Sequence, residues 1–457
     1  MLAVLTAAAS VRADVLDEEG INARAVHKQG ITGQGVRIGL LSQGNVRASH
    51  AAFLDADGKP AVVNHDFTGQ GLYRNMHDTN MAGLLVSRGS ATNPEAIGAA
   101  PGAQVHSARI VNSGIKGEHV VNALETLITR HHCRVIVTGI QFPSDRIRPD
   151  GSSFWSQLYD YFAETYDVVF VNAAGNSSPT VTVFGDGYNG LTTAGLKKDN
   201  AGAYRQVGRI SNSGPTADGR QKPDVSAPSQ AAWSASSAGD DLWTAVDPNG
   251  LGLTSFSVPF TAGTAALLLE FAARSSTQND DRSEVIRAVI VNSTATDLLN
   301  KKGMPVRPDG QVSAWDADSG YGRINALKAY QTLSAGPLVR DQHNTKPLGW
   351  AYGVMQKNDE HVYPVELKKG QRLVLTTTWN RKLTKAGSMF LNEATPFRLD
   401  VKVIDPAGKT VVFETAGANN LVKTDCVADA AGTYKIVLRN ATWADNRDYG
   451  MAFEIVR

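Results

Sequence analysis

Thr254-Ser255-Phe256-Ser257-Val258-Pro259-Phe260-Thr261-Ala262-Gly263 opens an apolar stretch that predicts a helix over residues 258–272. That helix buries Ala262, Ala265 and Ala266 and leaves Ser255 at its start, hydroxyl outward. Three other segments share this placement at the beginning or end of an apolar element: LLSQGN at 40–45, MHDTNMAG at 76–83 and AAGN at 173–176. In an open parallel sheet, strand C-termini and helix N-termini converge on one crevice. Four segments far apart in the chain are therefore expected to build one site.

The sequence around them supports such a sheet. From residue 30 to about 225, short apolar runs alternate with amphipathic stretches, the pattern of βαβ units. Strands are expected at 36–41, 105–110, 135–140 and 168–172, and helices at 75–88, 120–131 and 282–290. In the second helix Val121, Leu124, Leu127 and Ile128 form the apolar face. Residues 212–227 (NSGPTADGRQKPDVSA) are dense in Gly, Pro, Asp and Ser and predict a shaped surface loop. After residue 336, strand-length segments at 362–367, 371–379, 397–404, 409–414 and 433–438 predict a small all-β sandwich, with 332–343 as linker. The glycine-rich GITGQG at 30–35 precedes the first strand instead of following it, so it fails as a dinucleotide-binding loop.

Composition narrows the function classes. Forty-five basic residues face 44 acidic ones in 457, a formal net charge of +1, so no field draws nucleic acid. Hydrophobic residues make up 42% and charged residues 19%, as in a folded globular chain, and no membrane span is expected. Cys133 and Cys426 are too far apart and too isolated for a disulfide framework or a zinc motif, and read as incidental thiols. The opening MLAVLTAAASVRA is short, apolar and ends near an A-x-A-like pattern, which leans toward an exported, bacterial protein, secreted or periplasmic.

In these segments the chain resembles the subtilisin family of serine peptidases. His77-Asp78-Thr79-Asn80-Met81-Ala82-Gly83 is similar to the family's H-G-T-H-V-A-G, and residues 254–263 to its G-T-S-M-A-x-P-H-V-A-G. IGAAPGAQVHSARI (97–110), AAGN (173–176), SNSGPTADGRQKPDVSAP (211–228) and GYGRINA (320–326) match further family motifs in order. The resemblance, spanning about 25–330, implies an α/β fold: a subtilisin-like three-layer domain with a mostly parallel sheet. The all-β unit then reads as a jelly-roll-like sandwich appendage. The expected division is an N-terminal extension or signal remnant at 1–20, a peptidase domain at 21–335 and the sandwich at 345–457. Trp350, Tyr352, Tyr363, Trp379, Trp443 and Tyr449 in that sandwich are expected as core or rim packing, with a binding face as the alternative.

The resemblance also implies roles. A serine hydroxyl is a weak nucleophile until an imidazole takes its proton, so Ser255 is carried over as nucleophile and His77 as base. Asn176 would donate its amide to the oxyanion, with the Ser255 N–H as second donor. The family's strand-end aspartate is missing: Ser42, or in another register Gln43, stands in its place, and neither is charged. Asp78 is the nearest acid, but one helical residue turns it about 100° from His77, and it reads first as an acid favouring the helix N-terminus. Leu253 replaces the glycine before Thr-Ser, Asn80 replaces the second histidine, and VTGIQF (137–142) replaces a small glycine-rich strand, with Gln141 narrowing the cleft. Two functions follow: a serine endopeptidase acting on peptide or protein substrates, or a catalytically silent relative that binds a peptide or protein in the same cleft. No cofactor is required, structural calcium is compatible with the family but has no assignable ligands, and a monomer is expected.

Overall fold

Apolar, β-branched runs buried on both faces form the central sheet. The computed structural model describes residues 14–142, 147–387, 389–392, 397–442 and 446–457, so the apolar opening 1–13 and Trp443 lie outside the described residues. The strands are β1 (Arg37–Ser42), β2 (Val62–Asp66), β3 (Gln104–Arg109), β4 (Val135–Thr138), β5 (Val169–Ala173), β6 (Gly190–Lys197), β7 (Gln206–Val207) and β8 (Val225–Pro228). Their order is β2-β3-β1-β4-β5-β6-β7, with β8 also on β6, and every pairing is parallel except β6 with β7. Successive residues of one strand feed two cores. Val135, Val137, Val169 and Val171 join one cluster, while Ile136 and Phe170 join the other. Burial on both faces is why these strands read as continuous apolar runs.

Between them come α1 (Ala23–His27), α2 (Met76–Val86), α3 (Gly117–Glu125) and α4 (Phe154–Tyr166). A second short sheet of β9 (Ala231–Ala235) and β10 (Trp243–Val246) precedes α5 (Thr254–Arg274), α6 (Ser283–Asn292) and α7 (Ala326–Ser334). α2 and α5 cover one face with α6 and α7 behind, and α3 and α4 cover the other, giving three layers. α5 is long and apolar enough to cross a membrane, but it is the core helix of this fold, with 83% of its most apolar window buried.

Several expectations need correction. The helix expected at 120–131 begins earlier, at Gly117, and its last turn, Thr126–Arg130, widens to a π-turn. α4 was not expected at all, and α7 runs through Ser334 into the expected linker. The 212–227 segment is a surface loop only around residues 215–219; the rest runs into the core. Arg220, Lys222 and Asp224 are buried, Lys222 Nζ bonds Gly190 O at 2.8 Å and Asp224 Oδ2 at 2.7 Å, and the segment ends in β8.

The C-terminal strands are β11 (Leu348–Met355), β12 (Glu360–Leu367), β13 (Arg372–Trp379), β14 (Leu383–Ala386), β15 (Met389–Asn392), β16 (Leu399–Ile404), β17 (Thr410–Thr415), β18 (Leu421–Val427), β19 (Gly432–Asn440) and β20 (Arg447–Val456). Two four-stranded antiparallel sheets, β11-β20-β13-β18 and β12-β19-β16-β17, form the sandwich. Trp350, Tyr363, Trp379 and Tyr449 are each at most 2% exposed, so these four are packing residues and not a binding face; Tyr352 is half-buried. The first sheet lies on α6 through buried polar contacts: Thr378 Oγ1 donates to Glu284 O at 2.7 Å, and Arg287 Nη2 to Trp379 O at 2.9 Å. Gly450 allows this approach, because a Cβ there would overlap the Glu284 carbonyl and come within 2.5 Å of Val285 N.

Candidate active site

Two loops zipped together set the end of β1 beside the start of α2. Asn45 N donates to Tyr73 O at 2.6 Å, Asn75 N to Asn45 O at 2.9 Å, and Asn45 Oδ1 accepts from Tyr73 N at 2.8 Å. Gly44 permits this, since a Cβ would come within 2.7 Å of Asn75 Cβ and of Tyr73 O. Asn75 then caps α2, its Oδ1 accepting the Asp78 N–H at 3.2 Å.

That cap places His77 and Asp78 in the first turn. Asp78 is fully buried, and its Oδ2 accepts two main-chain donors from the strand end, Gln43 N at 3.0 Å and Gly44 N at 2.8 Å. Its Oδ1 lies 3.4 Å from His77 Nδ1, a long contact. The 100° turn between neighbouring helical residues therefore does not separate them. The carboxylate bends back to the strand end and the imidazole leans over it. The residues standing at the expected acid position do not serve His77. Ser42 is buried and its Oγ accepts from Ser107 Oγ at 3.1 Å, while Gln43 contributes its main-chain N–H to Asp78. In the sequence Asp78 reads first as a helix-terminus acid; the signal for its other role is an acid standing where the family has glycine after histidine, coupled to the acid missing from the strand.

α5 brings the serine. Leu253 takes the N-cap position in extended conformation, and the left-handed turn falls one residue earlier on Gly252, at φ 87°. Asp247 holds this approach, its carboxylate accepting the N–H groups of Leu251 and Gly252, both at 2.9 Å. Ser255 follows in the first helical turn, 6% exposed. Its N–H and its Oγ make no hydrogen bond with any described residue. Unpaired first-turn N–H groups are a ready site for developing negative charge. His77 packs on Phe256, the next residue, with ring centroids 5.3 Å apart.

Asn176 closes the group from the end of β5, beyond Gly175 at φ 103°. Its Oδ1 accepts from Thr254 N at 3.0 Å and Thr254 Oγ1 at 3.2 Å, so the amide is oriented with Nδ2 left for a ligand. Gln141 fixes the same residue from the other side, its Oε1 accepting Asn176 N at 2.7 Å. Gln141 thus lies against Asn176 and beside Gly175. Gly139 keeps that strand tight against the serine: a Cβ would reach 3.1 Å from Ser255 Cβ. Asn80 has a scaffold role, with Nδ2 donating to Ala235 O at 2.9 Å to tie α2 to β9.

The arrangement combines an unpaired hydroxyl at a helix start, an imidazole on the adjacent helix, a buried carboxylate behind it and an oriented amide. The subtilase family (Peptidase S8) matches residues 33–322. Pyrolysin of Pyrococcus furiosus is 28% identical over 268 residues, a match covering 52% of this chain and 18% of pyrolysin's length. Among solved structures, the prenylagaramide maturation protease PagA aligns with a TM-score of 0.51 at 17% identity, over 68% of this chain and 98% of that one. The patellamide maturation protease PatA gives 0.50 at 19% identity, over 66% and 98%. These two likenesses speak for the fold; with most of the chain's N-terminal two-thirds matched by the family itself, the chain belongs to the subtilase family.

Proposed function

We propose that the chain is a serine endopeptidase that cleaves peptide or protein substrates through an acyl-enzyme. Ser255 is the nucleophile and His77 the base that takes its proton and returns it to the leaving amine. Asn176 Nδ2 and the Ser255 N–H bind the oxyanion. Asp78 is the positioning acid in place of the strand-end aspartate. The observation that carries the reading is the buried Asp78 carboxylate, held by Gln43 and Gly44 N–H groups with its second oxygen toward His77 Nδ1. An acid there keeps the proton on Nδ1, leaves the Nε2 lone pair for the serine and stabilises the imidazolium. A chain drifting toward a pure binding role has no need to keep an acid in that place. The apolar opening at 1–13 supports work outside the cytoplasm.

The test is covalent labelling with a fluorophosphonate, beside a Ser255→Ala control, with the modified peptide identified by mass spectrometry. Labelling at Ser255 that disappears in the control is expected. No labelling of folded protein between pH 6 and 10 overturns the reading in favour of peptide binding without chemistry.

A further inference from the structure

Three histidines from three separate elements meet on the α3 side of the sheet, away from Ser255. His65 lies on the edge strand β2, His106 on its neighbour β3, and His131 just past the turn that ends α3. In parallel register Val63 pairs with His106 and His65 with Ala108, which puts both imidazoles on one face. Ala108 belongs to the core beneath α3 and α4, so that face is the α3 side.

Their nitrogens converge. One ligand atom from each ring lies within 4.8 Å of the other two. His65 Nε2 and His106 Nδ1 are 3.1 Å apart. Two nitrogens bound to one tetrahedral zinc at about 2.0–2.1 Å each stand about 3.3 Å apart, so this pair already has the spacing of shared coordination. The His131 ring completes the group, with its centroid 4.4 Å from His106 and 4.6 Å from His65.

The outer contacts are those of a ligand set. His106 is buried, and its Nε2 is 3.2 Å from Gln104 Oε1, an acceptor that fixes the proton on Nε2 and leaves Nδ1 as the lone pair. Metal-bound histidines commonly donate their second ring N–H in this way. Arg37 Nη1 bonds the His131 carbonyl at 3.1 Å and anchors the turn that presents the third ring. Three imidazole nitrogens without a carboxylate suit a borderline transition metal and not the hard, oxygen-seeking calcium or magnesium.

We propose that His65, His106 and His131 form a three-nitrogen site for one divalent transition-metal ion, zinc above all, which clips the edge strand β2 to β3 and to the end of α3. The proposal concerns a site remote from the serine and stands whether or not the chain is a peptidase.

The experiment uses the full chain as Ser255→Ala, to prevent self-digestion, stripped with chelator and dialysed. Zinc is titrated by calorimetry and metal content is measured after gel filtration. Cobalt serves as the optical probe, since tetrahedral Co(II) absorbs strongly in the visible. One zinc per chain, a cobalt band displaced by zinc and a higher melting temperature with zinc are expected. The double variant His65→Gln/His131→Gln, which leaves buried His106 in place, should weaken zinc at least about 100-fold and lose the band, while the exposed His343→Gln control changes neither. Less than one retained zinc, or binding unchanged in the folded double variant, overturns the proposal.

Discussion

Asp78→Asn is the sharpest perturbation of the proposed chemistry, because it removes a charge and keeps the shape. Oδ2 of Asp78 accepts Gln43 and Gly44 N–H groups at 3.0 and 2.8 Å, and Oδ1 stands 3.4 Å from His77 Nδ1. In the variant the two main-chain donors hold the amide oxygen, which turns the NH2 toward His77. Nδ1 must then accept, the ring proton moves to Nε2, and the base is lost. The forfeited attraction between carboxylate and imidazolium is about 4 kcal/mol at roughly this separation and an effective dielectric of about 20, which is nearly a thousandfold in rate. The wrong tautomer brings the total toward the roughly ten-thousandfold loss caused by the same change in a Ser-His-Asp triad. The expected result is therefore a fall in kcat/KM of about 10³–10⁴ on a fluorogenic peptide, with Ser255 labelling slowed to match. Circular dichroism and the melting curve establish that the variant is folded. A fall of less than tenfold in a folded Asp78→Asn protein, with Ser255→Ala inactive in the same assay, refutes the assignment of Asp78.

Three further outcomes are expected. Asn176→Ala should lower kcat by about 10²–10³ with little change in KM, the loss known from subtilisin's own oxyanion asparagine; an equal rise in KM instead would show ground-state binding. Gly450→Ala should destabilise the protein by about 1–3 kcal/mol, since the new Cβ meets backbone of Glu284 and Val285 that cannot rotate away; an unchanged melting temperature would contradict the close packing of β20 on α6. Burial pulls Lys423 down to about 7, with Nζ donating to Val291 O at 3.0 Å and Thr294 Oγ1 at 2.9 Å. Between about pH 7 and its ordinary 10.5 the unfolded chain then holds a proton that the native chain has released, so this lysine's contribution to stability rises with pH. Urea melts of Lys423→Met should lack that rise, and parallel curves for the two proteins from pH 7 to 10 would refute the shift.

The strands of the central sheet that were legible share one property, which is burial on both sides, whereas β12 and β16 of the sandwich are legible by alternation. β4 and β5 are walled by cores on each face, so their residues read as unbroken apolar runs. β11 and β20 escaped notice because glycines interrupt them. Gly353 gives room to the Tyr449 ring and Gly450 to the backbone of α6, needs that arise only from tertiary packing. α4 carries aromatic residues that pack against partners distant in sequence, Tyr159 stacked on Phe184 at 4.6 Å and Tyr161 tilted against Phe390 at 5.4 Å. For the site, Ser255, His77 and Asn176 were visible as motif residues and the structure gathers their elements at one cleft. Asp78 was visible only as an oddity. What turns it into a partner for His77 is a pair of peptide N–H groups at the end of β1, and main-chain donors leave no trace in residue identity. The histidine cluster was hidden for a similar reason, since parallel register sets residues 65 and 106 on one face and residue 131 reaches them from the turn after α3.

Carrying both His77 and Asp78 on α2 changes what can drift in the proposed site. With the acid on a strand, a slide of the helix would open the gap between acid and base; here the two travel as a pair, and such a slide instead loads the Asp78 bonds to Gln43 and Gly44 and alters the reach to Ser255. The tolerance that matters is therefore the seating of α2 against α5, where Met81 Sδ and Ser255 Cβ both border the space above Gly139. Under the proposed chemistry the buried Met81 becomes a lever on turnover through the seating of α2 alone.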